Sequence, residues 1–190
     1  GVDTYLMSTS ANSNYGTSSS MAVGESNNAN NRYTRSLIKF DLNTLPADAT
    51  IVSASLSLWT SSDLSSNDAT YNVYRLKKAF NESQATWNNA ATGAPWQSPG
   101  AAGTNDRETT AIGSVQVLNN EALNIEKQIE LDPAKVQEMQ NGTFVNNGLI
   151  LVANTEFNNR FDFKTSDSST ADQRPKLVIQ YTSPSTLPPA

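Results

Sequence analysis

The segment RSLIKFDL, residues 35–42, places Ile38, Phe40 and Leu42 on one face of an extended strand and Leu37, Lys39 and Asp41 on the other. Lys39 need not be buried, because a lysine stem can cover apolar surface while its ammonium reaches water or a ligand. A second cationic cluster, Arg75, Lys77 and Lys78, lies in TYNVYRLKKAF, and Arg35 and Lys164 are further cations that could share a face with Lys39. The chemistry open to this set is recognition of carboxylated sugars: a guanidinium fork matches a carboxylate and an ammonium supplies a point charge. In SASLSLWT, inward Ala54, Leu56 and Leu58 put Trp59 outward beside Ser55 and Ser57, where an indole can stack on a sugar ring. Each position also has a plainer reading. Exposed charges commonly do nothing specific, and a tryptophan commonly sits under a loop.

The carboxylates suggest a second chemistry. Asp3, Glu25, Asp41, Asp162, Asp167 and Asp172 could supply oxygens to a structural calcium ion. Calcium takes about 6 to 8 oxygens, many from backbone, so no spacing rule marks the site; Asp3, at the start of a strand, is the favoured ligand. Histidine and cysteine are both absent. Their absence removes imidazole and thiolate metal sites, the Ser-His-Asp triad and cysteine nucleophiles. No motif marks a pair of glycosidase carboxylates, so the chain is expected not to be an enzyme. A Lys39–Asn isopeptide bond of the adhesin kind would need the lysine buried beside an acid. Trp87 in ATWNN reads as a loop anchor, and Trp96 in APWQ as the tryptophan freer to make contacts.

These residues must be positioned by strands. Period-2 alternation recurs at residues 3–8, 19–24, 36–42, 51–60, 70–76, 127–131, 148–154, 160–165 and 176–181. Nine strands separated by Asn-, Ser- and Gly-rich turns suit an all-β, two-sheet antiparallel β-sandwich. DPAKVQEMQNG, residues 132–142, reads as one short crossover helix, with Asp132 as cap and Pro133 in the first turn. Residues 88–124 show little periodicity and read as a long surface loop. The 190 residues suit one domain over 1–182, followed by a Pro/Ser-rich linker at 183–190 to other domains of a multidomain protein.

Composition narrows the partners. A net charge of -5 and the lack of a basic stripe argue against nucleic acid. The longest apolar run, GLILVA, is far shorter than the roughly 20 residues of a helical membrane span, so membrane insertion is not expected.

Taken in order, NYG, KFDL, TWNN, NGLIL and RPKLVIQY between Asp3 and Tyr181 resemble the DNRLRE domain family, which includes alginate-binding carbohydrate-binding modules. The resemblance implies a sandwich of jelly-roll type, carried as a non-catalytic appendage on secreted or surface-attached proteins. The expected function is therefore polysaccharide binding, with an acidic glycan such as alginate as ligand and Lys39, Trp59, Arg75, Lys77, Arg35 and Lys164 as candidate contacts. The alternative is a structural spacer or adhesion domain without a glycan. Clustering decides between them: the cations must meet on one accessible face.

Overall fold

The computed structural model describes residues 1–26 and 31–183. Twelve strands follow in chain order: β1 (Val2–Met7), β2 (Ser20–Glu25), β3 (Tyr33–Lys39), β4 (Thr50–Ser65), β5 (Ala69–Arg75), β6 (Asn89–Ala91), β7 (Ala94–Pro95), β8 (Gly113–Val117), β9 (Glu126–Leu131), β10 (Leu149–Ala153), β11 (Asn159–Lys164) and β12 (Lys176–Thr182). One helix, α1 (Pro133–Gln140), joins β9 to β10. The linker expected at 183–190 lies, apart from Ser183, outside the described residues.

The strands form a closed eight-stranded antiparallel β-barrel with extra strands, in place of the expected two-sheet jelly-roll sandwich. Hydrogen bonding runs β3, β10, β5, β8, β9, β4, β11, β2 and returns to β3. Two short contacts complete the circuit: Gly24 and Glu25 of β2 pair with Thr34 and Tyr33, and Gly113 of β8 pairs with Leu131 of β9. The sixteen-residue β4 turns the largest corner, because Ala54–Trp59 pair with β9 whereas Thr60–Ser65 run along β11. β1 and β12 add to the outside of the circuit on β3 and β4. Alternation reports which side chains face inward, and it carries no information on which edges meet. Sandwich and barrel therefore share one sequence pattern.

Nine of the expected strands are present, and the alternation fills the barrel as it should. In β5, Ala69, Tyr71, Val73 and Arg75 point inward and are buried. Leu56, Leu58, Ile129, Leu151, Phe161 and Phe163 join Tyr71 and Val73 in the main core. The buried Tyr71 hydroxyl donates to the Asn159 carbonyl at 2.5 Å, and burial raises its pKa. The helix lies close to its expected span. Asp132 accepts from the Ala134 N–H at 2.9 Å, Val136 and Met139 are buried, and Gln137 bonds to both the Ile51 N–H and the Ala49 carbonyl next to β4.

The region expected as a surface loop behaves differently. It contains β8 and the small β6–β7 pair, and much of it is packed onto the outside of the barrel. Leu6, Leu37, Ile150 and Val152, on the outward faces of β1, β3 and β10, form a second hydrophobic core with Leu76, Ala85, Ala90, Trp96 and Ala101. This cover explains why β10 is buried along its whole length and why the Leu37 face of β3 is not a solvated one. The fully buried Asp106 carboxylate organises the cover, accepting from the backbone N–H groups of Gln97, Ser98 and Gly103 at 2.7, 3.0 and 3.0 Å.

Candidate ligand-binding cleft

Where β3 ends, the chain runs through Phe40 and Asp41 along the side of a cleft of about 710 Å³. Lys39, Phe40, Asp41, Phe80, Glu82 and Asn146 line it, from three separate stretches of chain. The volume lies within the range of roughly 300–1,000 Å³ usual for small-molecule sites. Backbone geometry builds the wall. Gly148 has φ +97°, and a Cβ there would lie 2.7 Å from the Ile38 carbonyl and 3.2 Å from the Phe80 ring, so only glycine allows β10 to start this close to β3. Asn146 donates to the Phe40 carbonyl at 2.9 Å, and Asn147 donates to the Lys77 carbonyl at 2.8 Å. NNG is thus the stitch that fixes the cleft.

Lys39 is partly exposed here, and among the described residues its ammonium has no hydrogen-bond or ion-pair partner. Ile38 and Leu42 are both in the core, as the alternation predicts, whereas Phe40 is only half-buried because the strand stops at Lys39. Asp41 Oδ1 accepts from the Asn43 N–H at 2.9 Å, and Glu82 Oε1 accepts from the Asp3 N–H at 2.8 Å. An isopeptide bond at Lys39 has no buried setting.

The other candidate cations do not converge on this cleft. Arg35 is held by Glu156 at 2.8 Å and by the Gly100 carbonyl, and lies over the Trp87 ring at 5.0 Å. Arg75, 1% exposed, sits inside the barrel end and bonds to Glu108, Glu138 and the Lys135 carbonyl, with Phe144 against its guanidinium at 3.9 Å. Lys77 donates to the Thr104 carbonyl and Lys164 to the Gln173 side chain. Trp59 lies outward on β4 opposite Glu126, half-buried, its Nε1 enclosed and without an acceptor among the described residues. Trp96, expected to be free, is 4% exposed and donates to the Thr86 carbonyl at 3.0 Å. Alternation places a residue on a face of its strand, and the packing of distant loops then decides whether that face meets solvent.

Asp3 is 1% exposed; Oδ2 accepts from the Ser166 N–H at 2.9 Å, and Oδ1 has no partner among the described residues. Burial raises its pKa, opposed by the Ser166 hydrogen bonds and reinforced by nearby Glu82 and Asp167. Among the described residues no group of three or more acidic side chains is placed to hold a metal ion. An acid with a raised pKa in the fold stabilises most below its unfolded value, and that contribution fades as pH rises through the folded value. Asp3→Asn cannot titrate. The melting temperature of the wild type relative to this variant is therefore expected to increase on going from about pH 7 to about pH 4. A constant difference would show that Asp3 titrates alike in the folded and unfolded chain, and a decrease would show that folding favours its ionised form.

The fold and cleft define a class: a barrel-shaped β module with an open aromatic and amide-lined cleft, in a sequence without histidine or cysteine. The chain belongs to the disaggregatase related repeat domain family, whose model matches residues 3–179. That match replaces the resemblance to the DNRLRE domain family. The motifs behind the resemblance are local: KFDL is a strand end and turn, and NGLIL is the Gly148 turn entering a buried strand. Many β folds need such pieces, so they are weak markers of one family. No curated protein matches the chain.

Proposed function

We propose that this domain is a non-catalytic polysaccharide-binding repeat of a secreted or cell-surface protein, and that it holds a glycan in the cleft beside Lys39. One observation carries the reading: two half-buried phenylalanines, Phe40 and Phe80, border the same cleft as an unpartnered ammonium and the amides of Asn43, Asn81 and Asn146. Aromatic faces take the apolar C–H side of a sugar, and amides and ammonium bond to its hydroxyls. The charge balance of the lining, Lys39 against Asp41 and Glu82, supports an uncharged glycan over alginate. A non-catalytic role is supported by the way both carboxylates already anchor backbone N–H groups.

Affinity electrophoresis through neutral glucans, galactans, pectin and alginate tests this. Retardation by a neutral polymer is expected, with Phe80→Ala and Lys39→Ala each weakening it by about tenfold, the loss of one stacking contact or one charged hydrogen bond. Because Phe80 also packs on the second core, Lys39→Ala is the control that leaves folding intact.

A second reading, a structural spacer repeat, is favoured by the internal contacts that occupy Arg35 and Arg75 and by the family's description as a repeat domain. Mobility unchanged in every polymer would select it.

A further inference from the structure

A separate pocket of about 370 Å³ lies on the outer wall where β2, β11 and β4 run side by side. Its lining is chemically uniform: seven hydroxyl-bearing residues and one lysine, with no carboxylate. Lys164 of β11 stands directly opposite Ser20 of β2. On the other side, the pairing of β11 with β4 skips a residue, since Asp162 faces Ser62 and Phe163 faces Thr60. Ser61 is therefore the extra residue of a β-bulge, a device that re-aims a side chain out of the regular pleat. Ser61 lines the pocket, and its Oγ, enclosed beneath the surface, has no hydrogen-bond partner among the described residues.

The charge in the pocket is also uncompensated. The Lys164 ammonium bonds only to the neutral amide oxygen of Gln173, and no carboxylate pairs with it among the described residues. Asp162, two residues before Lys164 on β11, accepts from Ser62 Oγ at 3.0 Å and is already held by the Arg160 guanidinium at 2.7 and 2.9 Å. Ser168 is buried; its Oγ accepts from the Thr170 N–H, which leaves its own proton to donate. Arg174, which does not line the pocket, donates to the Ser168 carbonyl at 2.9 Å. Asp167 and Asp172 are exposed on the adjoining loop and do not line the pocket.

An enclosed donor, an ammonium without a counter-ion and a ring of rotatable hydroxyls together match one kind of ligand. We propose that this pocket binds a small oxyanion, the sulfate, phosphate or carboxylate group of an anionic compound, with Lys164 supplying the charge and Ser61, Ser20 and Ser168 the hydroxyl donors. The site is distinct from the Lys39 cleft and does not rest on the glycan reading. It gives a net acidic domain a local place for an anionic substituent.

The test uses the full chain, labelled with nitrogen-15. Sodium sulfate is titrated against sodium chloride at equal ionic strength, with glucose 6-sulfate, glucuronate and glucose as further arms. Saturable sulfate shifts are expected at the amides of Ser20, Ser61, Lys164 and Ser168, with none of that pattern in chloride or glucose. Lys164→Met is expected to weaken sulfate binding by about tenfold, and Ser61→Ala by a smaller factor, in line with a charge-assisted and a neutral hydrogen bond. Tighter binding of glucose 6-sulfate than of inorganic sulfate assigns the anion to a sugar substituent, and equal binding assigns it to the free ion. Non-saturating shifts shared with chloride, or glucose binding as tightly as its sulfate, would overturn the proposal. Lys39→Ala leaves these shifts unchanged, so failure here and failure of the cleft are read separately.

Discussion

Replacing Arg75 with methionine is expected to destabilise the domain by about 3 kcal/mol, the order found when one partner of a buried ion pair is removed. The guanidinium is enclosed at the end of the barrel and makes three polar contacts: Nε to Glu108 at 2.8 Å, and Nη1 to Glu138 at 2.7 Å and to the Lys135 carbonyl at 3.0 Å. Methionine keeps most of the packing against Phe144 and abandons two carboxylates and a helix carbonyl. Both carboxylates are partly exposed and can recover water, which places the effect at the lower end of the range for buried pairs. Glu138 accepts from Lys135 and Arg75, and those hydrogen bonds lower its pKa. The network is thus fully formed above the usual carboxylate range and weakens as pH falls through the lowered value. The wild-type advantage over Arg75→Met should shrink in acid. Urea unfolding of both proteins at neutral and acid pH measures it, and an equal stability at neutral pH would remove Arg75 from the account of how α1 is fixed.

Trp96→Ala is expected to be comparably costly, about 3–5 kcal/mol, the range for truncating a large aromatic residue in a packed interior. Trp96 is the largest side chain of the second core and ties the cover to itself through the Nε1 bond to Thr86. The damage should be local before it is global. Limited proteolysis of Trp96→Ala is expected to cut within residues 77–107 while the barrel stays intact, because Tyr71, Leu58 and Phe163 belong to the other core. Trp96→Phe refills most of the volume and should cost about 1–2 kcal/mol, the lost hydrogen bond and a small void. Cleavage spread evenly over the chain would mean that the two cores fold as one unit.

The contrast between these residues shows what a sequence of this kind reveals. Arg75 and Trp96 both read as candidate contacts, one for its charge beside Lys77 and Lys78, the other for its place in a Gly- and Pro-rich stretch. Both are interior. Arg75 follows the inward alternation of Ala69, Tyr71 and Val73, so its burial was readable from the period; the carboxylates that make burial tolerable come from residues 108 and 138 and were not. Trp96 gave no periodic signal, because its cover is held by turns and by Asp106 and lacks long strands. Lys39 is the candidate whose setting came closest to expectation, although the aromatic residues beside it are Phe40 and Phe80, with Trp59 elsewhere on β4. The NNG triplet was the available signal for the cleft, since a glycine between two asparagines and a strand marks a backbone position with positive φ.

By itself the sequence determined nine of the strands, the short helix with its Asp132 cap, the inward faces of β3 and β4 and the lack of imidazole and thiol side chains. These are properties of residue type and of spacing over a few neighbours, and short-range sterics and burial set them. Tertiary structure decided that the strands close into a barrel, that residues 77–107 roof its outer face, and which cations keep a free charge. Those outcomes depend on edges, bulges and counter-ions brought together from distant parts of the chain, and a periodic pattern holds no record of which distant partner each surface meets.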